Sequence, residues 1–368
     1  MRRTYRAAVI GRSGKGNYGH GLDQVWAAIP EVEVVAVADE NPEGLAAAAK
    51  RLKVGAAFAD YREMLDKAKP DLVSIGPRWI DCHRDMVVAA AERGVHIYLE
   101  KPLCRTLAEA DEMVAACERG KVKLAIAHQT RYSPRVVAVR DLIADGRLGQ
   151  VLEYRGRGKE DQRGGGEDLW VLGTHVMDLI RCFAGDATWC MGSVAQNGRP
   201  IRKTDVVEGA EGIGPLAGDA VHAMYGMADG TTAYFSSVRK MAGKLSRFGL
   251  QIFGSEGIVE ILTGHLPSVK YLADPSWSPG RSGAKWQDVT SAGVGQPEPY
   301  QESGLNGGNI LAVKDLIAAI EQDREPEGSI YEARSATEMI VAVFESQRLG
   351  GPASLPLKDR ANPLTMLT

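Results

Sequence analysis

The stretch from Ala7 to Asp39, "AAVIGRSGKGNYGHGLDQVWAAIPEVEVVAVAD", decides how the chain is read. It opens on a short apolar run and crosses glycines at positions 11, 14, 16, 19 and 21. It then shows helical spacing over 21–30 and closes on a valine-rich run, 32–38, that ends in an acid. Strand, glycine turn, helix and strand make a βαβ unit, whose strands lie parallel in one sheet. The alternation continues outward. "NPEGLAAAAKRL" (41–52) predicts a helix with Asn41 as cap and Pro42 at its first position. "DLVSIGP" (71–77), "HIYLEKP" (96–102) and "KLAIAHQ" (123–129) read as strands. "DMVVAAAERG" (85–94) and "LAEADEMVAACERG" (107–120) read as helices, the second capped by Thr106. The expectation is an α/β domain over residues 1–127 whose parallel sheet is covered on both faces.

After about residue 130 the texture changes. "SPRVVAVRDLIADGRLG" (133–149) and "GTHVMDLIRCFAG" (173–185) read as helices, and "QVLEYRGRGK" (150–159) alternates like a half-exposed strand. "HAMYGMADGTTAYFSSVR" (222–239) carries the hairpin signal Asp229-Gly230, and "FGLQIFGSEGIVEIL" (248–262) turns between Gly254 and Gly257. Strands without intervening helices predict an antiparallel sheet in a second, α+β domain over 128–368. Residues 198–218 and 274–308 read as long loops, and 309–323 and 332–350 as late amphipathic helices, the last a candidate to return to the first domain.

Of 368 residues, 44% are apolar and 25% charged, as in an ordinary soluble protein. The net charge of −3 gives no electrostatic case for nucleic acid or an anionic membrane as partner. No apolar run approaches the ~18 residues of a membrane span. "MRRTYRAAVIG" is too short in its apolar part for a signal peptide. Cys82, Cys104, Cys117, Cys182 and Cys190 are scattered, odd in number and form no C-x-x-C. That argues against a disulfide framework and a metal site, and predicts reduced thiols in a cytoplasm.

Within the opening stretch, Gly14-Lys15-Gly16-Asn17-Tyr18-Gly19 fits G-x-G-x-x-G, but starts three residues after Gly11, where the common fingerprint already begins. The loop is therefore extended by about three residues, and the spacing 39 − 11 = 28 exceeds the usual ~20. Glycine here permits positive φ and a close approach of backbone to a pyrophosphate. Gly11, Ser13, Gly14, Gly16, Asn17 and Gly19 are the candidate cofactor-binding residues of this loop. Asp39 suits the adenosine ribose hydroxyls and repels a 2′-phosphate, which favours NAD over NADP, although Arg12 and Lys15 can still hold a phosphate. The plainer alternative is a glycine-rich turn with Asp39 capping the next helix.

A second stretch, "HIYLEKPLCRTLAEA" (96–110), sends a buried-looking strand into Glu100, Lys101 and Pro102. Charges at the carboxyl end of a parallel strand are costly unless they are used there, and that edge is where open α/β sheets bind ligands. With "HQTRYSP" (128–134), "GRLGQVLEYR" (146–155), "GTHVMDL" (173–179), "IFGSEGIVEI" (252–261) and "ESQRLGGPASLPL" (345–357), this segment resembles the Gfo/Idh/MocA oxidoreductases, in order along nearly the whole chain. The resemblance implies a Rossmann domain followed by a domain with a large, mostly antiparallel open sheet. It also implies hydride transfer between a nicotinamide and a carbinol carbon of a sugar, inositol or related polyol. Homodimers or homotetramers packed through that sheet are expected.

Lys101 is the candidate catalytic residue that answers the charge at the strand end: an ammonium can hydrogen-bond the reacting oxygen and stabilise its developing charge. His175 is the candidate general base. Glu100, Gly76, Pro77 and Gln129 join the cofactor-binding set with Lys101; His83 is as readily structural. Many members of the family carry an aspartate four residues before the histidine, and Val171 stands there. Glu167 or Asp168 can supply the missing carboxylate from a lengthened glycine-rich approach. Arg163, Trp170, Arg131, Tyr132 and Asp178 are candidate substrate contacts, with packing or a structural ion pair as the alternative for each. Two further functions compete with a dehydrogenase: a glycoside hydrolase in which NAD is reduced and regenerated within one cycle, and a non-catalytic NAD-binding regulator.

Overall fold

The computed structural model describes residues 4–300 and 304–368; Arg2, Arg3 and three residues of the expected loop 274–308 lie outside the described residues. The chain forms two compact units. The first runs to Gln129 and also takes Gly209–Gly214 and Leu305–Arg334; the second holds Thr130–Glu208, Pro215–Gly304 and the chain from Ser335 onward. One cut after residue 127 therefore misses two segments that return to the first unit, and the helix that returns whole is Leu305–Gln322, the penultimate long one.

In the first unit, the strands β1 (Tyr5–Ile10), β2 (Val32–Ala38), β3 (Ala57–Phe58), β4 (Leu72–Ile75), β5 (His96–Leu99) and β6 (Leu124–Ile126) form, among the described residues, a parallel sheet in the order β3-β2-β1-β4-β5-β6. The helices α1 (Pro42–Leu52), α2 (Tyr61–Ala68), α3 (His83–Ala91) and α4 (Leu107–Gly120) lie between them in the chain. Ile10, Val73, Ile75, Ile97, Leu99 and Ile126 pack with Met64, Met86, Val87 and Met113 in one apolar core. Each such side chain contributes ~1.5–3 kcal/mol when fully buried. Asn41 Oδ1 caps α1 by accepting from Gly44 N at 2.8 Å, and Thr106 caps α4 by accepting from Glu109 N at 3.2 Å.

The helix expected over 21–30 is one 3-10 turn, Val25–Ala28. The periodicity that suggested it is real burial, since Leu22, Val25, Trp26 and Ile29 all lie in the core. The Leu22 carbonyl, however, accepts from Ser74 Oγ at 2.7 Å, and Trp26 Nε1 donates to the same hydroxyl at 2.5 Å. An α-helix would need that carbonyl for the Trp26 amide.

The second unit carries β7 (Val151–Arg157), β8 (Ala187–Gln196), β9 (Arg199–Pro200), the ribbon β10 (Val207–Glu208) and β11 (Pro215–Leu216), and β12 (Ala220–Met227). It continues with β13 (Thr232–Val238), β14 (Gly249–Gly254), β15 (Gly257–Leu262), β16 (Val269–Leu272), β17 (Gln287–Thr290), β18 (Gly293–Val294) and β19 (Ala353–Ser354). Apart from the ribbon, these make a sheet in the order β18-β17-β16-β15-β14-β7-β13-β12-β8-β19, with β9 on β8; among the described residues only the β7–β13 pair is parallel. Both predicted hairpins form, β12–β13 and β14–β15. β17 and β18 arise inside the expected loop 274–308, where short, glycine-flanked strands leave little alternating pattern. Helices α5 (Pro134–Ala144), α6 (Gly166–Val171) and α7 (Gly173–Ala184) follow the entry into this unit. α7 lies close on β7, where a Cβ at Gly156 would sit 2.4 Å from Val176. Tyr154, Phe235, Leu250, Ile252 and Val259 are buried in the same unit, while Arg155 alternates to the exposed side.

Candidate active site

The glycine loop after β1 is built as a folded insert. Arg12 N donates to Asn17 O and Asn17 N to Arg12 O, at 2.9 and 3.0 Å, so residues 13–16 form a small turn closed upon itself. Gly14, Gly16 and Gly19 have φ of 86°, 88° and 64°. A Cβ at Gly16 would lie 2.2 Å from Arg78 N, and one at Gly19 2.3 Å from a Glu100 carboxylate oxygen, so neither position admits a side chain. The Gly16 and Tyr18 amides donate to no acceptor among the described residues. Beside the loop a cavity of about 380 Å³ is lined by Gly11, Arg12, Asp39, Glu40, Tyr61, Arg62 and Met86, among others. A glycine cradle with free amides beside a mixed apolar and polar cavity at the carboxyl ends of β1 and β2 fits the adenosine and pyrophosphate of a dinucleotide.

At the end of β5, Glu100 is fully buried and Lys101 nearly so. Glu100 accepts from His20 N at 2.9 Å and lies 3.0 Å from His20 Nδ1; it also accepts from Lys101 N at 3.1 Å. Burial alone would push this carboxyl up, but the His20 bonds and the Lys101 charge outweigh it and hold it below the ordinary glutamate value. Glu100 thus ties the end of the glycine loop to the strand that presents Lys101. The Lys101-Pro102 peptide is cis. His83, fully buried, lies with Nε2 2.7 Å from Pro77 O and Nδ1 3.0 Å from Pro102 O, between the strand ends after β4 and β5; as a neutral ring it donates to one of these carbonyls and packs against the other. Its burial pushes its pKa down. Gly76 donates to Ile10 O at 3.0 Å.

Asn309 is the residue that sequence reasoning missed. Fully buried, it accepts from Tyr98 Oη at 2.7 Å and Gln129 Nε2 at 2.8 Å, and donates to His20 O at 2.9 Å. It therefore holds the glycine loop, β5 and the end of β6 together, and engages the amide of Gln129. The signal was faint: an asparagine just ahead of the apolar positions of an amphipathic helical stretch.

In the second unit, His175 sits half-buried near the start of α7, its ring edge-on to Phe248 at 6.4 Å between centroids. Asp178 and Arg131 are both buried and face each other, with Arg131 Nε 3.0 Å and Nη2 2.9 Å from Asp178 Oδ1. That pairing gives each a partner inside the unit and makes the ion-pair alternative the one the geometry displays. Tyr132, next after Arg131 in the chain, is half-buried. Arg163 bonds Asp161, at 2.7 Å from Nη2, and holds that carboxyl down at about 2.

The run Gly164-Gly165-Gly166 is packing: added Cβ atoms would sit 2.2–2.5 Å from the backbone of Arg239, Gly218 and Ala217. Glu167 is half-buried. Asp168 is wholly buried, accepting from Ser237 Oγ at 2.5 Å and Glu160 N at 2.9 Å, and burial raises its pKa. Trp170 is only 1% exposed. The expected stacking of Trp170 on a sugar does not hold, because a ring this enclosed has no open face to offer. Val171, in the family's aspartate position, is buried too. Among the described residues, no three His, Cys, Asp or Glu side chains gather to hold a metal ion, the five cysteines are free thiols, and no helix is long and apolar enough to cross a membrane.

A parallel sheet of this order, with a glycine loop and charged strand end at its carboxyl edge, defines a dinucleotide-binding oxidoreductase of the Rossmann type. Residues 5–128 match the family model described as oxidoreductase family, NAD-binding Rossmann fold, and 136–260 the Gfo/Idh/MocA C-terminal domain. The chain belongs to the Gfo/Idh/MocA family of NAD-dependent oxidoreductases. It is 28% identical to levoglucosan dehydrogenase of Pseudarthrobacter phenanthrenivorans, over 68% of this chain and 72% of that protein. It is 30% identical to D-apiose dehydrogenase of Paraburkholderia graminis over 55% of this chain and 56% of that one, little more than half its length. The fold matches the solved levoglucosan dehydrogenase complexed with NADH and levoglucosan at a TM-score of 0.76 and 22% identity, covering 96% of this chain and all of that one.

Proposed function

We propose that the chain oxidises a secondary alcohol of a sugar, glycoside or cyclic polyol with NAD. The observation that carries this reading is the nearly buried Lys101, held at the strand end by Glu100, His20 and the His83 ring between Pro77 and Pro102. A rigid, desolvated ammonium suits a developing alkoxide better than a mobile surface lysine does. Lys101 is the group proposed to stabilise charge on the reacting oxygen; His175 keeps its role as candidate general base on the chemistry of its side chain, since a neutral imidazole is a base near neutrality. Bound NAD supplies the hydride acceptor. Arg131 and Asp178 position α7 rather than touch substrate, and Asp168 fixes the approach to it. The dehydrogenase names of the two relatives above support net oxidation over the redox-cycling hydrolase and the regulator. A cytoplasmic setting accords with free thiols, and homo-oligomers would form through the open face of the sheet that bears Arg155.

The test is purified protein with NAD and a panel of anhydrosugars, aldoses, inositols and p-nitrophenyl glycosides, followed at 340 and 400 nm together. Steady NADH formation on one or more sugars is expected. Nitrophenol release without net NADH would move the assignment to the hydrolase.

A further inference from the structure

The acid at the end of β2 is the residue expected to read the adenosine ribose, and in this chain it is already fully used. Asp39 is 2% exposed. Its Oδ1 accepts from Asn41 N at 2.9 Å and Ser13 N at 3.1 Å, and its Oδ2 from Ser13 Oγ at 2.7 Å and Tyr18 Oη at 2.9 Å. Those four donors match the roughly four acceptor sites a carboxylate has. Three of them come from the extended loop, which is docked tightly: a Cβ at Gly44 would lie 2.0 Å from Ser13 Oγ, and one at Gly11 2.2 Å from the Tyr18 ring. The next residue is different. The Glu40 side chain is 62% exposed, lines the same cavity and has a single ion-pair partner, Arg12 Nε at 2.9 Å. The other end of Arg12 is held by Asp81 at 2.9 Å.

We infer that Glu40, not Asp39, is the cofactor-selecting residue of this chain: it accepts the two adenosine ribose hydroxyls, while Asp39 pins the inserted loop. The inference deepens the NAD reading and rests on it. The cavity wall carries the carboxylates of Asp39, Glu40, Asp60 and Asp85 against the guanidiniums of Arg12 and Arg62, so a 2′-phosphate meets net negative charge. Arg12 is the latent counter-charge. Removing Glu40 frees its Nε to meet a 2′-phosphate.

The experiment is direct titration of NADH and of NADPH, by nicotinamide fluorescence, into wild type, Glu40→Ala and Asp39→Asn, with the melting temperature of each cofactor-free protein. For Glu40→Ala, the NADH Kd rises ~10-fold and the NADPH Kd falls, with melting unchanged. For Asp39→Asn, the cofactor-free protein melts lower and the ratio of the two Kd values moves less than ~3-fold. If that variant does not fold, Tyr18→Phe takes its place, with the same expectation. A preference that collapses in Asp39→Asn or Tyr18→Phe and holds within twofold in Glu40→Ala would overturn the inference. Because the readouts are binding and melting, they stand apart from turnover: a wild type that binds NADH but oxidises no sugar would count against the proposed reaction and leave these ratios readable.

Discussion

Two buried carboxylates, Glu100 in the first unit and Asp168 in the second, meet opposite electrostatic surroundings. Both lack solvent, so burial pushes both carboxyls up. Glu100 is met by two nitrogens of His20 and the charge of Lys101, and is held low. Asp168 is met by a hydroxyl and backbone amides, which do not outweigh burial, and stays high. A buried acid kept ionised is an electrostatic device; a buried acid pushed toward neutrality is a hydrogen-bonding one. Glu100 holds the glycine loop to the strand end that presents Lys101, and Asp168 holds Ser237 and the Glu160 amide before α7.

Removing the Glu100 charge should have the greatest consequence of these substitutions. Glu100→Gln should cost ~2–3 kcal/mol at pH 7, read by urea unfolding, since it removes the charge that the His20 bonds serve. Because the folded pKa lies below the unfolded one, the stabilisation is present above the ordinary glutamate value of ~4.3 and fades as pH falls below it. The gap between wild type and variant should therefore narrow at pH 3.5. Asn309→Ala comes next at ~1–3 kcal/mol, because Tyr98, Gln129 and the His20 carbonyl all lose a partner. It should also weaken NADH binding, measured by titration, because the loop end loosens.

Asp168→Asn should fall within ~1 kcal/mol of wild type at pH 7, since Asn keeps an acceptor for Ser237 and adds no buried charge. The sign is opposite to that of Glu100: a raised folded pKa gives stability that is present below the unfolded value of ~3.9 and is lost as pH rises through the folded value. The variant should flatten that stretch of the stability–pH curve; a larger loss at pH 8 than at pH 4 would reverse the assignment. The smallest effect is Trp170→Phe, an apolar exchange in a packed site costing less than ~1.5 kcal/mol, with KM for the sugar unchanged. A tenfold rise in KM would restore the stacking role.

The same contrast explains what the sequence could disclose. The strands of the first unit other than the two-residue β3, the Asn41 and Thr106 caps and the Lys101 strand end are local patterns, visible within a few residues. The Asn309 hub joins positions 289 residues apart, and no local pattern carries it. Ser74 diverting the Leu22 carbonyl is likewise a contact across 52 residues, which is why a helical spacing became one 3-10 turn. Trp170 was read by type; only its enclosure showed it to be core. The glycines misled in a similar way, since 14–19 and 164–166 look alike in sequence. In the first run Gly14, Gly16 and Gly19 all take positive φ, whereas in the second only Gly165 does, and all three of its glycines press against the backbone of Arg239, Gly218 or Ala217.

If Lys101 acts on the reacting oxygen, as proposed, rather than merely finishing a strand, its removal slows turnover without loosening the cofactor. In Lys101→Ala, assayed on the best sugar of the panel, kcat should fall by ~10²–10³ while the NADH Kd changes less than ~3-fold, the mark of a group that acts in the transition state. A Lys101→Ala enzyme that keeps wild-type kcat would contradict that role.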